Sequence, residues 1–99
     1  MISDILQIAS TGMTTASTAV ATHANNIANI TTPDFTAQSP VYSSLLTGGV
    51  AAFAQDTGAA PNPVTESISL IAAANQYKAA ASLVPTGLDL SATLLQTVA

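Results

Sequence analysis

The chain has 99 residues, 6% of them charged, and a formal net charge of -4 in which Lys78 is the single Lys or Arg. One lysine cannot neutralise a run of phosphates or hold to an anionic bilayer, so nucleic-acid binding and a polybasic membrane mode are excluded. Cysteine is absent, which removes disulfides and thiolate chemistry, and the length allows one domain at most with a modest core.

The hydrophobic share is 48%, much of it alanine, and the polar remainder is mostly Thr, Ser, Asn and Gln. A free monomer normally relies on mixed surface charge for solubility. An uncharged, small-residue surface suits a chain covered by neighbours, because its burial strands no ions. The opening MISDILQIAS has neither a basic n-region nor a long apolar h-region and does not read as a Sec-type signal. No stretch approaches the roughly 18 consecutive apolar residues of a membrane span.

In the N-terminal third, Ile2, Leu6, Ala9, Met13, Ala16, Val20, Ala24 and Ile27 recur at steps of four and three. That spacing predicts a helix over about 3–29, with Ser3 as N-cap and Asp4 set against the helix dipole. Threonine fills much of the remainder and is a mediocre helix former, so partner packing has to complete this helix. Its end reads NNIANITTPDF. Asn29 suits a helix terminus and Thr32-Pro33-Asp34 a turn that fixes the exit direction. Asn25 and Asn26 lie a turn too early for capping and are expected to bond across a subunit boundary.

Residues 31–63 lose the helical period and are punctuated by Pro33, Pro40, Gly48, Gly49, Gly58 and Pro61. SPVYSSLL reads equally as an extended segment or a helical turn, and GGVAAFA as a short strand. The whole is expected to be an extended, largely irregular arm that packs on other molecules.

In the C-terminal third, Leu70, Ala74, Tyr77, Ala81, Val84, Leu88, Ser91, Leu95 and Val98 keep a 4-3 heptad. Ile68, Ile71, Leu83, Leu90 and Leu94 widen the apolar surface, which implies more than one neighbour. Asn62 or Thr65 is the expected start, and Pro85 with Gly87 predicts a bend near 81–86. The expected fold is therefore all-α: helices in 1–30 and 64–99 form an antiparallel coiled-coil hairpin, with the arm 31–63 between them, completed by assembly. Leu70, Tyr77, Val84, Leu88, Leu94 and Leu95 are the expected packing residues of the second helix.

Nothing points to catalysis. His23 is the single histidine, the acids are scattered singly, and no trio forms a nucleophile–base–orienter set. Gly48-Gly49 lacks the flanking pattern and lysine of a phosphate loop. Metal ligands are too few for a protein-only site. A non-enzymatic protein without metal or cofactor is expected. Lys78, beside Tyr77, is either solvent-exposed or paired with an acid of a neighbouring subunit.

The segment ATHANNIANITTPDF resembles the N-terminal signature of the bacterial flagellar rod and hook family, in which Asn-Asn-Ile-Ala-Asn is followed by Thr-Pro-Gly-Tyr. Asn25, Asn26, Ile27, Ala28, Asn29, Thr32 and Pro33 match it, while Asp34 replaces the usual glycine and Phe35 the usual tyrosine. Aspartate tolerates left-handed backbone and phenylalanine keeps the ring. The C-terminal helix is similar to the family's own, with Glu66, Tyr77, Ala79, Leu94 and Leu95 in the corresponding places. The chain departs from the family in its short middle, in Pro85 and Gly87, and in its near absence of Lys and Arg.

The resemblance implies a structural subunit of a rod-like or hook-like helical tube in the flagellar basal body. Such subunits polymerise through their terminal helices with copies and other axial proteins, and leave the cytoplasm through the flagellar export apparatus without a cleaved signal to form a periplasmic or extracellular tube. A soluble coiled-coil adaptor or chaperone-like module that binds one partner helix is the competing reading.

Overall fold

The computed structural model describes residues 2–98, with side chains for residues 4–97. Helix α1 spans Ile2–Ala28, strands β1 and β2 span Gln38–Ser44 and Val50–Asp56, and helix α2 spans Pro63–Val98. The particle is elongated, 64 × 25 × 14 Å.

The expectation of an all-α chain with an irregular arm is overturned by the antiparallel pairing of β1 with β2, Val41 opposite Phe53 and Tyr42 opposite Ala52. Each run is too short to declare itself alone, but β-branched and aromatic residues suit pairing. Gly48 and Gly49, at φ 94° and 92°, take the left-handed conformations that bring the strands together. Pro40 fits because both strands of a two-stranded sheet are edges. An isolated hairpin is marginal in water, and this one lies against α1. The Val50 N–H donates to Thr11 Oγ1 at 3.2 Å. A Cβ on Gly49 would meet that same oxygen at 2.3 Å, so glycine is required by contact as well as by φ.

Helix α1 begins at Ile2, ahead of the expected cap at Ser3. Its threonines spend their hydroxyls internally. Thr14, Thr15, Thr18 and Thr22 donate to the carbonyls of Ser10, Thr11, Thr14 and Thr18 at 2.7–3.1 Å. Thr15 and Thr22 can thus be buried without an orphaned donor. Helix α2 starts as the Asn62 alternative foresees. Asn62 Oδ1 accepts the N–H groups of Val64 and Thr65 at 2.9 and 3.1 Å, with Pro63 in the first helical position. The helix then runs on through Pro85.

The two helices pack antiparallel. A Cβ built on Gly12 would lie 3.4 Å from Ala80, and one on Gly87 would meet Leu6 Cδ2 at 2.7 Å. Gly87 therefore serves as the notch that seats Leu6. Along the pair, half-buried Leu70 and Val84 accompany smaller, more deeply buried residues. The fully buried apolar side chains among the described residues are all alanines: Ala9, Ala16, Ala19, Ala37 and Ala73. At about 0.8 kcal/mol per buried methylene, such a core contributes little. The largest side chain below 2% exposure is polar, Asn26.

Candidate assembly site

Burial and exposure single out two regions, the junction of α1 with β1 and α2, and the outward surface of α2. The first is the junction where α1 ends, β1 begins and α2 starts. Asn26, 0% exposed, is its hub. Its Nδ2 donates to the Gln38 carbonyl at 2.7 Å, and its Oδ1 accepts the Gln38 N–H at 2.9 Å, as a neighbouring strand would. The same Nδ2 donates to Glu66 Oε2 at 3.0 Å. His23 Nδ1 reaches that oxygen at 2.6 Å. The donor in this contact depends on the His23 tautomer. One amide thus binds three chain segments, and the buried acid of α2 meets two side chains of α1. The inter-subunit role expected for Asn26 is replaced by a role inside the chain, because its complete burial leaves no surface for a neighbour.

The rest of NNIANITTPDF builds the exit turn. Asn25 is exposed, and its carbonyl accepts both the backbone N–H and the side-chain amide of Asn29, at 3.2 and 2.9 Å. Ile27 is half-buried and exposed Ala28 closes the helix. Asn29 takes the Thr32 N–H on its carbonyl at 3.0 Å and the Thr32 hydroxyl on Oδ1 at 3.1 Å. The Phe35 N–H then donates to the Thr32 carbonyl at 3.3 Å, closing a four-residue turn with Pro33 second and Asp34 third. Asp34 has φ 60°, as the third place of a type II turn requires. Phe35 is half-buried and Pro33 exposed. Beyond the hairpin, the Gly58 backbone N–H first and the Thr36 hydroxyl second hold the Asp56 carboxyl below its ordinary range.

The second region is the outward face of α2. Of the predicted packing residues, Leu70 and Val84 are half-buried against α1. Tyr77, Leu88, Leu94 and Leu95 are exposed, Leu95 by 67%. Ile68, Ile71, Leu83 and Leu90 are exposed with them. The inner stripe of α2 falls one step away from the expected heptad, on Glu66, Ala73 and Gly87. A shallow groove follows the helix pair: Ser10, Met13, Thr14, Ser17 and Thr18 face Tyr77, and Val20 and Ala74 continue it to Lys78.

Glu66, His23 and Gln38 were not among the predicted site residues. A signal for the first two exists. Glu66 lies one heptad before Ala73, so a charge there needs a buried partner, and His23 and Asn26 share a helix face at three-residue spacing. Gln38 takes part through its backbone alone, which leaves no mark in composition.

Among the described residues no group of His, Cys, Asp and Glu could hold a metal ion, and no helix is long and apolar enough to cross a membrane. Residues 6–36, from the first turns of α1 through the Thr32–Phe35 turn, match the family described as flagella basal body rod protein. No curated protein matches the chain.

Proposed function

We propose, from the match of residues 6–36 to the flagella basal body rod protein family, that the chain is a member of that family and a non-enzymatic subunit of a rod-like or hook-like helical tube, polymerising through its two terminal helices. The observation that carries this reading is the distribution of apolar side chains. Alanines fill the inside of the pair, while Ile68, Ile71, Leu83, Leu88, Leu90, Leu94 and Leu95 face outward. So many exposed apolar side chains, on more than one side of a helix, mark a surface for more than one neighbour. With so thin a core, burial against neighbours adds the stabilisation that the single chain lacks.

The partners in this reading are further copies, other axial proteins of the flagellum and the flagellar export apparatus. The place of work is the basal body, reached without a cleaved signal. The family motif, Asn25 to Asn29 with Thr32, Pro33 and Phe35, organises the joint between helix and hairpin. Leu70, Tyr77, Val84, Leu88, Leu94 and Leu95 supply the packing surface of α2.

Electron microscopy of the purified protein tests the reading. Filaments or rings of fixed diameter are expected, and Leu94→Asp with Leu95→Asp should abolish them while leaving expression and helicity unchanged. A monodisperse dimer at high concentration would instead support an adaptor that binds one partner helix. Normal filaments from the double variant would remove the C-terminal leucines from the assembly surface.

A further inference from the structure

Charge decides how copies of this chain can approach one another. Each carries a formal -4, so two copies repel at long range. His23 is occupied by Glu66 inside the chain. Any contact between copies that joins a cationic side chain to a carboxylate must therefore use Lys78. Lys78 is exposed, and among the described residues it has no ion-pair partner. It stands at the end of the groove formed by Ser17, Val20, Ala74 and Tyr77.

The exposed carboxylates are Asp4, Asp34, Asp56 and Asp89. Asp34 sits in the left-handed turn, Asp56 accepts the Gly58 N–H at 2.9 Å, and Asp4 lies in the first turn of α1. Asp89 differs in its surroundings. Leu88 and Leu90 flank it, exposed by 55% and 46%, and Leu94 and Leu95 follow one turn later. Leu88 and Leu90 project about 100° to either side of Asp89 around the helix, so seating Asp89 on a cation brings an exposed leucine to each flank, and the groove beside Lys78 offers Val20, Ala74 and the Tyr77 ring.

We propose that the groove ending at Lys78 receives the Leu88–Leu90 stretch of α2 from a second copy, with Asp89 of that copy placed on Lys78. This inference rests on the tube reading and names its contact. Groove and ligand lie on different parts of one chain, so each copy can receive one neighbour and be received by another. Such a head-to-tail contact grows a ring where its rotation closes and an open helical filament where it does not.

Cysteine trapping provides the test, since the wild-type chain has no thiol. Lys78 and Asp89 are three turns apart on α2, roughly 16 Å. A disulfide spans at most about 7 Å between Cα atoms, so a bond between these positions has to be intermolecular. Under mild oxidation, Lys78→Cys/Asp89→Cys should give a ladder of covalent oligomers at least about tenfold faster than Lys78→Cys paired with Asp34→Cys or Asp56→Cys. Tenfold corresponds to about 1.4 kcal/mol of preference. Charge reversal supplies the second arm: Lys78→Asp should suppress assembly, and adding Asp89→Lys should restore it. All four positions are exposed, so circular dichroism of the variants should be unchanged.

Equal ladders from the comparison pairs, or reversal without rescue, would overturn the contact. If wild-type filaments form under those conditions, the tube reading survives that loss. A covalent dimer with no higher species would overturn head-to-tail growth, and a wild-type protein that never assembles would sink the tube reading and this contact together.

Discussion

The two ends of the helix pair solve the same problem differently. At the end where α2 begins, the chain closes on itself through polar bonds, with Asn26 holding Gln38 and sharing Glu66 with His23. At the end where α2 finishes, Leu88, Leu94 and Leu95 are each about half exposed or more. The polar end is complete, since no described buried side-chain nitrogen or oxygen lacks a partner. The leucine end is apolar and unfinished. A directional network fixes one internal geometry, whereas apolar surface accepts any partner of suitable shape. The molecule thus places its buried polar network at the end where α2 begins, whereas exposed apolar side chains run along α2 from Val64 to Leu95.

Asn26→Ala is the most damaging way to probe this contrast. It leaves the Gln38 N–H and carbonyl without their partners and removes a donor from buried Glu66, so a loss of about 3 kcal/mol in urea unfolding is expected. A loss below about 1 kcal/mol would mean that water replaces the amide and that the junction does not hold the fold. In the opposite direction, Asp34→Gly should raise stability by about 0.5 to 1 kcal/mol, because glycine relieves the left-handed strain at φ 60°. A raised melting temperature with unchanged assembly would place the turn on the fold side of the contrast. The smallest effect belongs to Leu88→Ala. Exposed by 55%, this side chain should alter monomer stability by under about 0.5 kcal/mol while weakening assembly. A large loss of monomer stability would show that the leucine end is packed within the chain after all.

Both helices were legible because their apolar period persists over 27 and 36 residues. The hairpin was not, although its parts were in view. Val41-Tyr42 and Val50 to Phe53 flank Gly48-Gly49, which is a hairpin pattern once the two runs are considered together. Each alone is seven residues long or less and ambiguous. Asp34's left-handed backbone follows directly from its place after Thr32-Pro33. Asn26 shows the limit: a polar residue at the end of a helix has the same letter whether it bonds a strand inside the chain or a neighbour outside it. Gly87 shows another, since a helix breaker by propensity becomes a fitted site once Leu6 occupies it.

The alanine seam has a mechanical consequence. Ala73 and Ala80 lie one heptad apart, and opposite them Ala9, Gly12, Ala16 and Ala19 present no large side chain to lock into them. Sliding one helix along the other by two turns would be opposed in the middle by half-buried side chains such as Leu70 and Val84, not by a fully buried large one. It would also pull Glu66 away from Asn26 and His23 and lift Leu6 out of the Gly87 notch. The pair is thus keyed near its two ends, by the Asn26–Glu66 bond and by Leu6 against Gly87. Those two keys define the length of the unit, and a polymer built from it would take the accuracy of its axial repeat from one amide and one missing Cβ.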